Sequence, residues 1–252
     1  MALVETEGLV LKSYNLAEAD KIVVLLTHDH GVVRGVAKGA KRLKSKFGSG
    51  LEPFSIVRVT YFQKEVQELV SIQNIDLERS YFAAASDPDF LDKFSYLADL
   101  LISFSPPHDP NETLYRMVKA CLDSAEQSPK SLSAIGVYFE LWLLRLGGYL
   151  PDWSNCDRCK RILDETDSAS VQGNFHIVCG KCRRSSGTQA ADATHRRIFA
   201  AARRLSPSDF AILTDGNQKE LVNLSLILKR IISQAIGREV VGERVFARYN
   251  SL

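Results

Sequence analysis

Two pairs of cysteines constrain this 252-residue chain more than any other feature. Each pair has the spacing C-x-x-C, Cys156 with Cys159 and Cys179 with Cys182, and residues 160–178 separate the pairs. Two cysteines separated by two residues form a tight turn in which both sulfurs can face one ion, and Zn²⁺ prefers four ligands at the corners of a tetrahedron. The spacing therefore predicts one structural zinc ion, with no open position for catalysis.

Two disulfides and a redox-active C-x-x-C pair are the alternatives to zinc. A redox role is disfavoured because no thioredoxin-like βαβ pattern surrounds either pair. His176 lies between the pairs and is a candidate further ligand, although an ordinary turn residue is the simpler interpretation. The fifth cysteine, Cys121, falls on the apolar face of a predicted helix, where a buried thiol is expected. Reduced cysteines and a thiolate metal site both fit the reducing cytoplasm.

The first 80 residues predict a small β-barrel. Five runs rich in apolar and β-branched residues are separated by turn signals, and none of them has a helical period. The runs cover residues 3–11, 22–27, 32–38, 54–62 and 66–72. Five short strands in about 75 residues match a closed barrel of the OB-fold type, with an SH3-like barrel as the alternative.

Between the third and fourth of these strands the chain is basic and rich in glycine. The segment from Gly31 to Leu51 contains no acidic residue and six basic ones: Arg34, Lys38, Lys41, Arg42, Lys44 and Lys46. Cations on a loop beside a barrel face are typical of a surface that binds nucleic-acid phosphates, and a solvated loop without a ligand is the alternative. Four nearby aromatic residues could stack on bases, but barrel core is the favoured role for each: Tyr14, Phe47, Phe54 and Tyr61.

From Asp87 onwards the apolar residues recur with a helical period. Three helices are expected before the cysteine pairs. After them we expect a helix capped by Asp192 or Thr194 and broken at Ser206-Pro207, and a long helix over residues 218–236. The expected class is α+β, with four segments: a barrel (1–80), the first part of a helical domain (81–150), an inserted zinc module (151–188) and the remaining helices (189–252).

Composition and missing motifs argue against an enzyme. The formal net charge is only +2, distributed as an acidic middle between more basic ends, including a run with Arg183, Arg184, Arg196 and Arg197. No phosphate-binding loop, dinucleotide fingerprint, zinc-protease motif or nucleophile elbow occurs, and no carboxylate cluster would hold Mg²⁺. No segment has the features of a signal peptide or a membrane span, so a cytoplasmic protein that acts through binding energy is expected.

Several stretches resemble the bacterial RecO family of DNA repair and recombination mediators. They are residues 11–23, 36–42, 47–54 and 146–151, the last followed by the two C-x-x-C pairs, and the resemblance covers about residues 5–185. It implies an N-terminal OB-fold, a helical domain and a zinc module with Cys156, Cys159, Cys179 and Cys182 as ligands. In this sequence the basic loop replaces the helix usual between strands three and four of an OB-fold, which leaves barrel closure open.

The resemblance also implies an activity. Such proteins bind single- and double-stranded DNA, anneal complementary strands without ATP, and work in the cytoplasm at the nucleoid. With RecR, and sometimes RecF, they help to load the RecA recombinase onto DNA coated by single-strand-binding protein. The implied DNA contacts are Arg34, Lys38, Lys41, Arg42, Lys44 and Lys46. Two alternatives stay open: a zinc-stapled interaction scaffold that reaches DNA only through partners, and an enzyme with a dispersed active site.

Overall fold

The structure is a computed structural model that describes residues 2–63, 69–164, 166–183 and 189–237. These residues form two compact units, one ending at Leu122 and the other beginning at Asp123. The four segment boundaries expected from the sequence are finer than this division and stay a prediction. Within the described ranges, no helix combines the length and apolar character needed to cross a bilayer.

The first unit contains a closed five-stranded barrel. Its strands are β1 (Ala2–Leu16), β2 (Asp20–Thr27), β3 (Gly31–Ala37), β4 (Ser55–Gln63) and β5 (Leu69–Ser80), in the order β1-β2-β3-β5-β4. All pairs are antiparallel except β3 with β5, which run parallel over residues 34–36 and 69–71. Apolar side chains that alternate along the strands fill the interior, and they come from the apolar, β-branched runs that the sequence predicted as strands.

The parallel pairing of β3 with β5 closes the barrel and depends on Gly35. A Cβ at this position would lie 2.7 Å from Cγ1 of Ile72 and 2.9 Å from Cγ2 of Val70, closer than packed carbons allow. Glycine therefore lets the two strands approach. The sequence left undecided whether the barrel closes next to the basic loop. The barrel does close there, because β3 and β5 pair directly and the loop needs only to span from β3 to β4.

Three helices follow the barrel: α1 (Phe82–Ala85) and α2 (Pro88–Phe104) lie in the first unit, and α3 (Glu112–Gln127) begins in it and continues past Leu122. The Asp87 carboxylate caps α2 by accepting the Asp89 N–H at 2.9 Å, with Pro88 in the first turn. The helix α3 is joined to the barrel through Glu7, whose carboxylate accepts bonds from the Tyr115 hydroxyl at 2.8 Å and Lys119 Nζ at 2.5 Å. Helix α1 was not predicted, because four residues are too few to show a period.

The second unit is built on helices α4 (Leu132–Leu146), α5 (Ala193–Ala201), α6 (Pro207–Leu213) and α7 (Gln218–Ile236). Helix α7 has the predicted bounds and ends at Gly237, whose φ of 68° is the left-handed conformation that glycine adopts without strain. A small antiparallel sheet lies between α4 and α5 in the chain: β6 (Ala169–Val171), β7 (Ile177–Cys179) and β8 (Gln189–Ala190), in the order β7-β6-β8.

One helix boundary in this unit was predicted wrongly. Ser206-Pro207 does not break a helix but begins α6, since α5 has already ended at Ala201. The Ser206 hydroxyl accepts the Asp209 N–H at 3.2 Å, and Pro207 occupies the first turn. Proline is tolerated there because the first N–H groups of a helix have no intrahelical partner.

Candidate nucleic-acid surface and metal centre

The six basic residues predicted to contact DNA are all exposed. Arg34 lies in β3, and the other five lie in the segment 38–47 that follows it, here named the basic loop: Lys38, Lys41, Arg42, Lys44 and Lys46. Among the described residues, none of the six forms an ion pair with a carboxylate. Their charges are therefore available to an anion from solvent.

Both ends of the basic loop are fixed to the barrel. At its start Gly39 donates its N–H to the Asp20 carboxylate at 2.8 Å, and Lys41 donates its N–H to the Ala19 carbonyl at 2.9 Å. At its end the Phe47 ring is 3% exposed and belongs to the barrel core, while Lys46 Nζ lies 5.2 Å from the centre of that ring. The cations between these anchors are thus presented on a short, tethered segment.

Three of the four candidate stacking residues are in the core. Phe47, Phe54 and Tyr61 are each 3% exposed or less, and burial raises the pKa of Tyr61 to about 12. These three rings cannot stack on a base without leaving the interior, so the favoured core interpretation is correct for them. Tyr14 in β1 is 49% exposed and is the remaining aromatic candidate at this surface.

The four predicted metal ligands come together in the second unit. All four Sγ atoms lie within 4.8 Å of one another, and the Cys159 and Cys179 sulfurs are 3.9 Å apart. Zn–S bonds of about 2.3 Å in a regular tetrahedron place the sulfurs about 3.8 Å apart, whereas a disulfide needs about 2.05 Å. All five cysteines are free, so the disulfide alternative is wrong and the cysteines fit a four-coordinate ion.

Backbone hydrogen bonds shape the two cysteine turns and join them. In the first turn Cys156 donates its N–H to the Arg161 carbonyl at 2.9 Å and accepts the Lys160 N–H at 2.8 Å. The second turn begins where β7 ends, with the Cys182 N–H bonded to the Cys179 carbonyl at 3.0 Å. The Cys179 N–H also points to the Cys156 sulfur at 3.3 Å, which connects one turn to the other.

The cysteine cluster already favours thiolates at some positions. A hydrogen bond from the Arg161 side chain is the main cause that lowers the pKa of Cys179 to about 6. The pKa of Cys182 rises to about 12, mainly through hydrogen bonds with the Cys179 and Cys159 sulfurs. Crowded thiolates repel one another, and a divalent cation at their centre would replace the shared protons. His176 is not part of the cluster, and its Nδ1 lies 3.9 Å from the Asp157 carboxylate.

The basic run after the second cysteine pair does not behave as one surface. Arg183 and Arg197 are exposed, Arg184 lies outside the described residues, and Arg196 is buried at 8% exposure. The sequence did not single out Arg196 or Arg161 as parts of the cysteine module. No spacing rule marks either residue. The contacts of Arg196 with the carbonyls of Asp167 and Asp164 span 29 and 32 residues, and Arg161 bonds to Asp167 where neither residue lies in a helix or strand.

Comparison with known proteins settles the family. The family described as Recombination protein O N terminal matches residues 1–81, and Recombination protein O C terminal matches residues 91–242. The chain belongs to the recombination protein O family. The resemblance seen in the sequence is therefore confirmed.

Curated relatives align with this chain over most of their length. The DNA repair protein RecO of Koribacter versatilis is 33% identical over 192 residues, which is 74% of this chain and 75% of the relative. That of Geobacter metallireducens is 31% identical over 201 residues (79% and 81%), and that of Bifidobacterium adolescentis is 33% identical over 186 residues (71% and 72%). Family membership makes this chain a DNA repair and recombination protein and not an enzyme.

Proposed function

We propose that this protein is a recombination mediator that binds single- and double-stranded DNA and anneals complementary strands without ATP. The observation that carries the proposal is the set of six exposed cations of β3 and the basic loop, none of which has a carboxylate partner in the described chain. Their proposed role is to contact phosphates, with Arg34, Lys38, Lys41, Arg42, Lys44 and Lys46 each neutralising backbone charge.

Annealing follows from charge neutralisation. Two DNA strands repel each other, and cations that contact both backbones lower the cost of bringing them together. DNA binding should be independent of the base sequence, since the basic loop offers contacts to phosphates and no set of side chains placed to reach base edges. The closed five-stranded barrel supports the proposal that this domain is an OB-fold, a class that binds oligonucleotides.

The partners are proposed from family membership. They are RecR, single-strand-binding protein and in some settings RecF, acting in the cytoplasm at the nucleoid to load the RecA recombinase. We assign no residue to these contacts. The domain division expected from the sequence, with a barrel, a helical domain and an inserted module at 151–188, is proposed on the same basis.

We further propose that the four cysteines hold one structural Zn²⁺. The sulfur spacing fits a tetrahedral ion, and thiolate ligands select Zn²⁺ over hard cations. When bound, the ion would cross-link the two cysteine turns. With four cysteine ligands it would have no open coordination position for a substrate.

Strand annealing by the isolated protein across a salt series, without nucleotide, tests the function. We expect annealing and DNA affinity to fall steeply with salt, because each phosphate contact contributes about 0.7 to 0.9 to the slope of log K against log salt. The double substitution Lys41→Ala with Arg42→Ala should flatten the duplex slope by about two units. Arg58→Ala is the matched control, since this exposed arginine lies on β4 and is ion-paired with Glu78 at 2.6 Å.

Two outcomes would count against the proposal. An unchanged salt slope in the double variant would remove the basic loop from the DNA surface. Failure of the isolated protein to shift labelled single strands would instead favour a scaffold that reaches DNA through partners.

A further inference from the structure

Arg161 contacts the cysteine cluster through both its backbone and its side chain. Its carbonyl accepts the Cys156 N–H at 2.9 Å, and its guanidinium is the main cause that lowers the pKa of the Cys179 thiol. The same guanidinium donates from Nη2 to the Asp167 carboxylate at 2.5 Å. Asp167 therefore holds Arg161 against a ligand from each pair.

Arg196 holds the same segment from the other side. It lies in α5, is 8% exposed, and donates to three carbonyl oxygens: those of Asp164 at 2.5 Å, Asp167 at 2.9 Å and Ala191 at 3.0 Å. Among the described residues Arg196 bonds only to carbonyls, so its buried charge is compensated there by carbonyl dipoles. Its electrostatic effect reaches the Asp167 carboxylate, whose pKa is lowered first by Arg161 and also by Arg196.

These contacts form a continuous path from a cysteine ligand to helix α5. It runs from Cys156, whose N–H bonds to the Arg161 carbonyl, through Arg161 and Asp167 to Arg196. Four thiolates around a divalent cation carry a net charge of about −2, which a nearby permanent cation stabilises. Outer partners of this kind set the orientation and basicity of metal ligands.

We infer that Arg161 is a positioning residue for the metal centre, and that Arg161, Asp167 and Arg196 couple metal occupancy to the stability of helix α5. The inference rests on the proposed zinc site. It adds that the metal acts beyond the two cysteine turns, on a helix that supplies none of its ligands.

The role of Arg161 is tested by titrating the metal-free full-length protein with Co²⁺ and following the sulfur-to-cobalt charge-transfer band. Arg161→Gln should weaken Co²⁺ binding about tenfold or more and shift the band, because the residue loses the positive charge and the Asp167 ion pair that hold it beside the cysteine ligands. Arg161→Lys should recover most of the affinity. Arg183→Gln, the same change at an exposed arginine beside Cys182, should stay within about twofold of the wild type.

The outcomes separate this inference from the metal site itself. If the wild type binds no Co²⁺, the proposed metal site fails. If the wild type binds and Arg161→Gln binds equally well with an unshifted band, the site stands and the role of Arg161 is overturned.

Coupling to α5 is tested by hydrogen–deuterium exchange of the wild type with and without bound metal. Removing the metal should speed exchange in residues 193–201 several-fold and leave α4 little changed. In Arg196→Gln this difference should shrink, while the stacking of Trp153 on Phe199 at 4.3 Å keeps α5 packed. The coupling would be overturned if the exchange rate in α5 were the same with and without metal, or if removing the metal raised the exchange rate in α4 equally.

Discussion

The basic loop and the cysteine module use charged residues in opposite ways. In the basic loop the cations are exposed and have no carboxylate partner among the described residues. In the module two cations beside the first cysteine pair are engaged: Lys160 pairs with Asp157 at 3.1 Å, and Arg161 pairs with Asp167 at 2.5 Å. The module also carries basic residues beside its cysteines. The partners of a charge, and not its sign, therefore distinguish a binding surface from a structural one.

This difference has an energetic consequence. An exposed, unpaired cation contributes little to folding, so its removal should affect ligand binding alone. A cation that satisfies carbonyls or a thiolate inside a module contributes to the structure, and its loss leaves those groups without a partner. Substitutions in the two regions should therefore separate binding from stability.

The largest effect is expected from Cys156→Ser. Loss of one ligand should remove the metal and with it a large part of the binding free energy, which for structural zinc sites is on the order of 10 kcal/mol. Metal content and thermal unfolding measure the loss. Cys121→Ser is the control, since this buried thiol lies outside the cluster and the variant should keep its metal. Retention of a full equivalent of zinc by Cys156→Ser would contradict the four-cysteine site.

Phe47→Ala should destabilise the barrel by about 3–5 kcal/mol, because it removes a buried ring from the core at the end of the basic loop. Denaturant unfolding measures the change. Leu43→Ala provides the comparison in the same loop, where the side chain is fully exposed and a change within about 0.5 kcal/mol is expected. Equal effects of the two substitutions would show that Phe47 does not anchor the loop.

Glu7→Gln should destabilise the first unit by about 1–3 kcal/mol at neutral pH, since Tyr115 and Lys119 lose a charged acceptor. Burial opposes ionisation of Glu7, but the bonds from Lys119 and Tyr115 bring its pKa below the ordinary 4.5. A lowered folded-state pKa means that the stabilisation is present above 4.5 and is lost as the pH falls through the lowered value.

Unfolding of the wild type and of Glu7→Gln between pH 7 and pH 2 tests the direction of this pH dependence. The difference in free energy of unfolding should shrink as the pH falls. Glu5→Gln, at an exposed position of the same strand, should show little difference at any pH. A difference for Glu7→Gln that grows towards low pH would contradict the assignment.

The smallest effect on stability is expected from Lys44→Ala, within about 0.5 kcal/mol, because this side chain is exposed. Its effect should appear in binding, where the slope of log K against log salt should fall by about 0.7 to 0.9. Fluorescence anisotropy with labelled DNA at several salt concentrations measures it. An unchanged salt slope together with a lowered free energy of unfolding would show that Lys44 stabilises the fold and does not bind DNA, which would contradict the comparison between the basic loop and the cysteine module.

The sequence was most informative where a short-range pattern carries the structure. Apolar, β-branched runs located the core strands, helical period located α2 and α7, and the cysteine spacing located the cluster. It was least informative where contacts join distant residues. Nothing local distinguishes the buried Arg196 from the exposed Arg197, since their difference arises from carbonyls near residues 164–167.

The start of the basic loop is bonded to the barrel through main-chain N–H groups of the loop. The N–H groups of Gly39 and Lys41 bond to Asp20 and Ala19, so these tethers do not depend on the side chains at positions 41 to 46. The charged side chains at positions 41 to 46 of the basic loop can therefore be substituted while the barrel keeps its fold. Relatives adapted to different salinities would be expected to vary most at these positions.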